Sequence, residues 1–159
     1  MTTRRFPGFS SRARAVVLLT AGIVVYAARP AAAQLLLVQP ATINFASSDP
    51  DTVPVVSASP IRVTYLVLGP VARPWTITIR AGGALTSGAS TIPISNVSWV
   101  ATPSPPFRSG TLSTTAQILA TGTGTALLQR GDVTFRFVNS WNYTVGTYSQ
   151  TITFTLSSP

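Results

Sequence analysis

The chain has 159 residues, 45% of them hydrophobic and only 9% charged, with eleven arginines against three aspartates for a formal net charge of +8. It contains no Cys, His, Lys or Glu. That inventory excludes disulfide staples, thiol chemistry and zinc sites built on Cys or His, and it leaves general acid–base catalysis without its usual proton carriers.

The first residues have the three parts of an export signal: Arg4, Arg5, Arg12 and Arg14, then an apolar run over 15–28, then Ala31-Ala32-Ala33 before Gln34. The apolar run is about 14 residues, short of the roughly 20 that a spanning helix needs. Residues 1–33 are therefore expected to form a signal-peptide helix that is cleaved near Ala33. No stable membrane span should follow cleavage. Thr3-Arg4-Arg5 hints at twin-arginine export, but Pro7 stands where that signal wants an apolar residue, so the general secretory route is the expectation. Cleavage removes Arg4, Arg5, Arg12, Arg14 and Arg29. The remaining Arg62, Arg73, Arg80, Arg108, Arg130 and Arg136 are scattered singly, with no basic run, so nucleic acid is not an expected partner.

Residues 34–159 are enough for one domain and too few for two ordinary ones. Along them apolar and polar residues alternate with period two, as in Trp75-Thr76-Ile77-Thr78-Ile79-Arg80, Val133-Thr134-Phe135-Arg136-Phe137 and Thr151-Ile152-Thr153-Phe154-Thr155-Leu156. Alternation of this kind marks half-buried strands, and threonine suits the outward face because its branched Cβ fits a pleated surface. In chain order the predicted strands are 35–38, 41–46, 61–68, 75–81, 96–101, 111–118, 125–129, 132–139 and 147–156. The stretch 61–68 is more continuously apolar and reads as central or covered on both faces.

Turn residues separate these segments. Asp49-Pro50-Asp51 suits an Asx-turn better than a calcium site, which needs six to eight oxygens. Gly122-Thr123-Gly124 reads as a hairpin connection, because no helix or Lys follows to make a phosphate cradle, and Gly131-Asp132 reads as a turn at a strand start. The Gly/Ser/Thr-rich stretch 81–95 and the proline-bearing stretch 101–110 are expected as surface loops. Seven to nine short strands in this length predict an all-β fold, an immunoglobulin-like antiparallel β-sandwich, with a small barrel as the alternative.

No constellation of side chains suits catalysis, so the expectation is a non-enzymatic protein with no cofactor and no metal. Binding is the alternative use of such a scaffold, and exposed aromatics are its usual instrument. Trp75 is in phase with Ile77 and Ile79, and Trp99 with Val97, so both are expected in the core. Trp141 sits in the polar run Asn139-Ser140-Trp141-Asn142-Tyr143, with Tyr148 close by, where it either caps the core or is exposed. Trp141, Tyr143 and Tyr148 are the candidate ligand platform, and the 81–95 loop is a second candidate contact.

The final segment Tyr148-Ser149-Gln150-Thr151-Ile152-Thr153-Phe154-Thr155-Leu156-Ser157-Ser158-Pro159 resembles the closing motif of WxL-type cell-wall-binding domains, and Trp75-Thr76-Ile77 resembles that family's earlier Trp-x-Leu. On this resemblance Trp75, Tyr148, Phe154 and Leu156 take motif positions, with Phe154 in place of the second Trp and Ile77 in place of the first Leu. The resemblance implies a secreted, β-rich bacterial surface protein held non-covalently on peptidoglycan or other wall polysaccharide, often beside partner surface proteins. The same closing strand is similar to pilus subunits and spore-coat-U-like secreted domains. These imply the alternative of a structural subunit of a pilus, coat or surface layer that self-assembles by strand addition, for which Leu35-Leu36-Leu37-Val38 is the cue. The expected location is extracellular, at the cell surface, with the periplasm as an alternative.

Overall fold

The structure is a computed structural model that describes residues 33–159. The expected signal helix lies outside the described residues. Eleven strands are present among the described residues: β1 (Gln34–Gln39), β2 (Val55–Ser57), β3 (Ile61–Val67), β4 (Pro74–Ala81), β5 (Leu85–Ser87), β6 (Ser90–Ile92), β7 (Val97–Thr102), β8 (Gly110–Thr111), β9 (Gln117–Thr123), β10 (Ala126–Val138) and β11 (Ile152–Ser157). One short 3₁₀ turn, Ile94–Asn96, leads into β7. Every strand pairing is antiparallel. The fold is all-β and sandwich-like, as the alternating phases predict. Among these residues no helix is long and apolar enough to cross a membrane.

The first sheet runs β1-β3-β10-β7-β8, with β2 continuing along β10 beyond β3. The second runs β11-β4-β9, and β5 and β6 form a separate hairpin. The long strand β10 is the spine of the first sheet, since β3 and β2 share one of its edges and β7 takes the other. In β11, Leu156 lies opposite Ile77 and Phe154 opposite Ile79, so the two segments of the WxL resemblance are neighbours in one sheet.

The core is what the phases of β3, β4, β7 and β10 supply: Ile61, Val63, Tyr65 and Val67 from β3, Trp75, Ile77 and Ile79 from β4, Val97 and Trp99 from β7, and Val133 and Phe135 from β10. Tyr65 of the first sheet packs on Trp75 of the second with ring centroids 4.9 Å apart. It also meets Phe107 edge-on at 5.9 Å. Trp75 and Trp99 are both buried, as their phase requires, and the Trp99 indole Nε1 donates to the Arg108 carbonyl at 2.7 Å.

Several expectations are corrected. Residues 41–46 join no ladder, although Ile43 and Phe45 pack half-buried against the core. The predicted strands 125–129 and 132–139 are one strand, β10, with an irregularity between Ala126 and Gln129 where Leu128 takes φ +45°. A side chain in that left-handed region marks a bulge inside the first predicted segment, whereas at the expected break Gly131 and Asp132 stay paired with Val63 and Arg62. The predicted 111–118 divides between β8 and β9, and of the predicted 147–156 only residues 152–156 lie in a strand, β11, which runs on to Ser157. Gly122-Thr123-Gly124 does not close a hairpin, because β9 pairs with β4 and β10 with β3, so this turn carries the chain from one sheet to the other. Gly124, at φ +70°, donates its N–H to the Arg73 carbonyl there at 2.7 Å. Asp132 is not a turn residue. It sits within β10 opposite Arg62 of β3, whose Nε donates to its Oδ1 at 3.0 Å in an exposed ion pair.

The two expected loops also differ from expectation. The stretch 81–95 contains the β5–β6 hairpin, turned by Gly88 at φ +58° between paired Ser87 and Ser90. The stretch 101–110 delivers Phe107 into the core, fully buried, over the backbone of Gly131.

Candidate functional site

The 139–151 segment after β10 is fastened at both ends. At its start the Asn139 side-chain Nδ2 donates to the Ser48 carbonyl at 2.9 Å, and its backbone N–H donates to the Pro54 carbonyl at 2.9 Å. At its far end Ser149 and Thr86 of β5 exchange backbone hydrogen bonds of 3.1 and 3.0 Å, and the Gln150 side chain donates to the Ala84 carbonyl at 2.6 Å. The chain between is drawn across the end of the sandwich, from the 43–50 segment on one side to the β5–β6 hairpin on the other.

This arrangement encloses a cleft of about 540 Å³. Its apolar floor is formed by Phe45, Phe137 and Tyr143, with Phe137 5.8 Å from each of the other two rings. Phe137 is in phase with the buried Val133 and Phe135 but is itself only half-buried, so β10 ends as the cleft begins. Val56, Leu85 and Ile92 also line the space.

All three candidate platform residues line this one cleft. Trp141 is 67% exposed, which decides between its two readings in favour of the surface. Its indole Nε1 donates to Asp51 Oδ1 at 3.1 Å. Asp51 is itself held by an Asx-turn, its N–H donating to Asp49 Oδ1 at 2.9 Å, as the Asp-Pro-Asp sequence suggests. The ring is thus tethered by its polar corner while its surface faces solvent. Tyr143 and Tyr148 are half-buried. The Tyr148 hydroxyl is 2.8 Å from Thr144 Oγ1 and donates to the Thr144 carbonyl at 3.0 Å, while Thr144 Oγ1 donates to Ser90 Oγ at 2.8 Å. Gly146 passes so close to Ser87 that a Cβ there would lie 2.6 Å from its Oγ.

The second candidate contact, the 81–95 stretch, meets the first here, since Leu85 and Ile92 of its hairpin line the same cleft. Sequence reasoning missed Phe45, Asp51 and Phe137 as members of the site. They come from three separate stretches of chain, and only the polar, aromatic run 139–143 carried a local signal. The motif positions Trp75, Phe154 and Leu156 lie elsewhere: Trp75 is in the core, and Phe154 and Leu156 are half-buried on β11. Of the four motif residues, Tyr148 alone lines the cleft.

Groups that titrate near neutral pH do not occur among these lining residues. What the cleft offers is aromatic surface, an apolar floor, and hydroxyl and amide groups. No family model matches the chain, and no curated protein matches it.

Proposed function

We propose that this is a secreted, non-catalytic surface protein that binds cell-wall polysaccharide or a related glycan in the cleft bounded by Trp141, Tyr143 and Tyr148. The observation that carries the reading is the position of Trp141: exposed, fixed by Asp51, and beside two half-buried tyrosines. An exposed indole held in one orientation presents a flat apolar face on which the C–H face of a sugar ring can stack, with little conformational entropy to lose. The scarcity of proton-carrying side chains supports a binding role over a catalytic one. The WxL resemblance of residues 148–159 supports a wall polysaccharide as the ligand class, and the three-part N-terminal segment supports export.

Co-sedimentation of the purified protein with insoluble bacterial wall polysaccharide tests the reading. Retention well above a buffer control is expected, and it should fall about tenfold or more in Trp141→Ala, the size of a central aromatic contact. Equal retention of both proteins would overturn it.

A second reading, self-assembly by strand pairing, has its own observation. Among the described residues β1 is paired only with β3, and it carries Leu35 and Leu37 about half exposed with no charged residue along its length. Uncharged apolar edges are templates for another strand. Light scattering over a concentration series discriminates between the readings: a mass that rises with concentration favours assembly, and a constant monomer removes it.

A further inference from the structure

We infer that the ligand of this cleft is an electrically neutral stretch of saccharide, selected against uronic-acid and phosphate-bearing polymers; the inference rests on the glycan-binding reading above. The carrying observation is the lining itself. Of the twenty residues around the cleft, none is Arg, Lys, His, Asp or Glu. The nearest carboxylate in the hydrogen-bond network, Asp51, is occupied by the Trp141 indole.

An anionic sugar seated here would lose the water around its carboxylate or phosphate with no cation to replace it. Burying an unpaired charge costs several kcal/mol, more than a stacking contact returns. The mild positive excess of residues 34–159 does not compensate, because no arginine lines the cleft. Asp51 at the rim adds repulsion for an anion.

A neutral sugar meets complementary chemistry instead. Its C–H face lies on Trp141 and toward the Phe45–Phe137–Tyr143 floor, and its hydroxyls face the amide and hydroxyl groups of Asn44, Ser47 and Thr147, which are exposed residues of the lining. Recognition by stacking and neutral hydrogen bonds carries a signature: it is insensitive to salt, whereas recognition of a polyanion by scattered arginines is screened.

Calorimetric titration of the purified protein against two oligosaccharide panels tests this. One panel is neutral (gluco-, xylo- and N-acetylglucosamine oligomers) and the other anionic (oligogalacturonate and a glycerol-phosphate oligomer), each at low and high salt, with Trp141→Ala in parallel. The expected result is at least one neutral oligomer bound about tenfold or more tighter than any anionic one, with a Kd unchanged by salt and weakened about tenfold in Trp141→Ala. Anionic oligomers bound equally well, or a Kd that rises with salt, would overturn the charge selectivity and leave the glycan reading standing. Binding of neither panel, or neutral binding untouched by Trp141→Ala, would overturn both.

Discussion

Trp75 and Trp99 each lie across a glycine on the neighbouring strand, Gly122 and Gly110 respectively, which are also their register partners. A Cβ at Gly122 would enter the Trp75 indole. Gly122→Ala should therefore cost about 1–3 kcal/mol, the usual range for overpacking a core. Gly69→Ala, where the added carbon meets only Arg73 at 3.7 Å, should stay within roughly 0.5 kcal/mol in the same urea titration. Trp141 has no such partner, and its ring is free for a ligand while its Nε1 is taken by Asp51. Asp51→Ala should weaken glycan binding severalfold without lowering the melting temperature. Asp51→Asn, which keeps an acceptor oxygen, should restore most of it. Tyr65 adds a pH dependence. Burial disfavours the phenolate and holds its pKa above tyrosine's ordinary value. With the folded value raised, the contribution of Tyr65 to stability is complete below about pH 10, where the unfolded chain titrates, and is lost as pH rises through the folded value. Denaturant titrations between pH 8 and pH 11 should show that decline, and Tyr65→Phe should flatten it.

The strands were legible wherever a single face is buried, because period two is a local property of the chain. Residues 75–81 and 152–156 show the pattern without interruption, and β4 and β11 lie there. Three features escaped for physical reasons. Phe107 belongs to a proline-bearing loop with no periodicity, so nothing in its neighbours announces that it fills the core over Gly131. Gly122-Thr123-Gly124 signals a change of direction but not which strand receives the chain, and the receiving strand is in the opposite sheet. β10 reads as two segments because Gly131-Asp132 has the residue types of a turn, yet both residues pair with β3 in an unbroken ladder there, and the bulge lies earlier, at the exposed Leu127 and Leu128. At φ +45° Leu128 carries the penalty that L-residues incur in the left-handed region, about 1–2 kcal/mol. Leu128→Gly removes that penalty at a partly offsetting cost in unfolded-chain entropy, so a net gain of roughly 0.5–1 kcal/mol in chemical denaturation is expected. A loss of stability would place the origin of the bulge in the leucine side chain.

Over the molecule as a whole, the sandwich puts its chemistry at one end. The candidate aromatics Trp141, Tyr143 and Tyr148 were visible as a cluster because they lie within eight positions of sequence. Their joining to Phe45, Asp51 and the β5–β6 hairpin was not visible, since it depends on bonds such as Asn139 to Ser48, 91 residues apart. Long-range closure of this kind turns a turn-like run into one wall of a cleft, and the uncharged lining follows from a chain that carries so few charges. The central claim is that this cleft holds the ligand. It is tested most directly by iodide quenching of tryptophan fluorescence, because Trp75 and Trp99 are buried and Trp141 is not. The account predicts one quenchable class of tryptophan, lost in Trp141→Phe and protected when a neutral oligosaccharide saturates the protein. A quenchable class that stays as accessible with saccharide bound as without it would contradict the account.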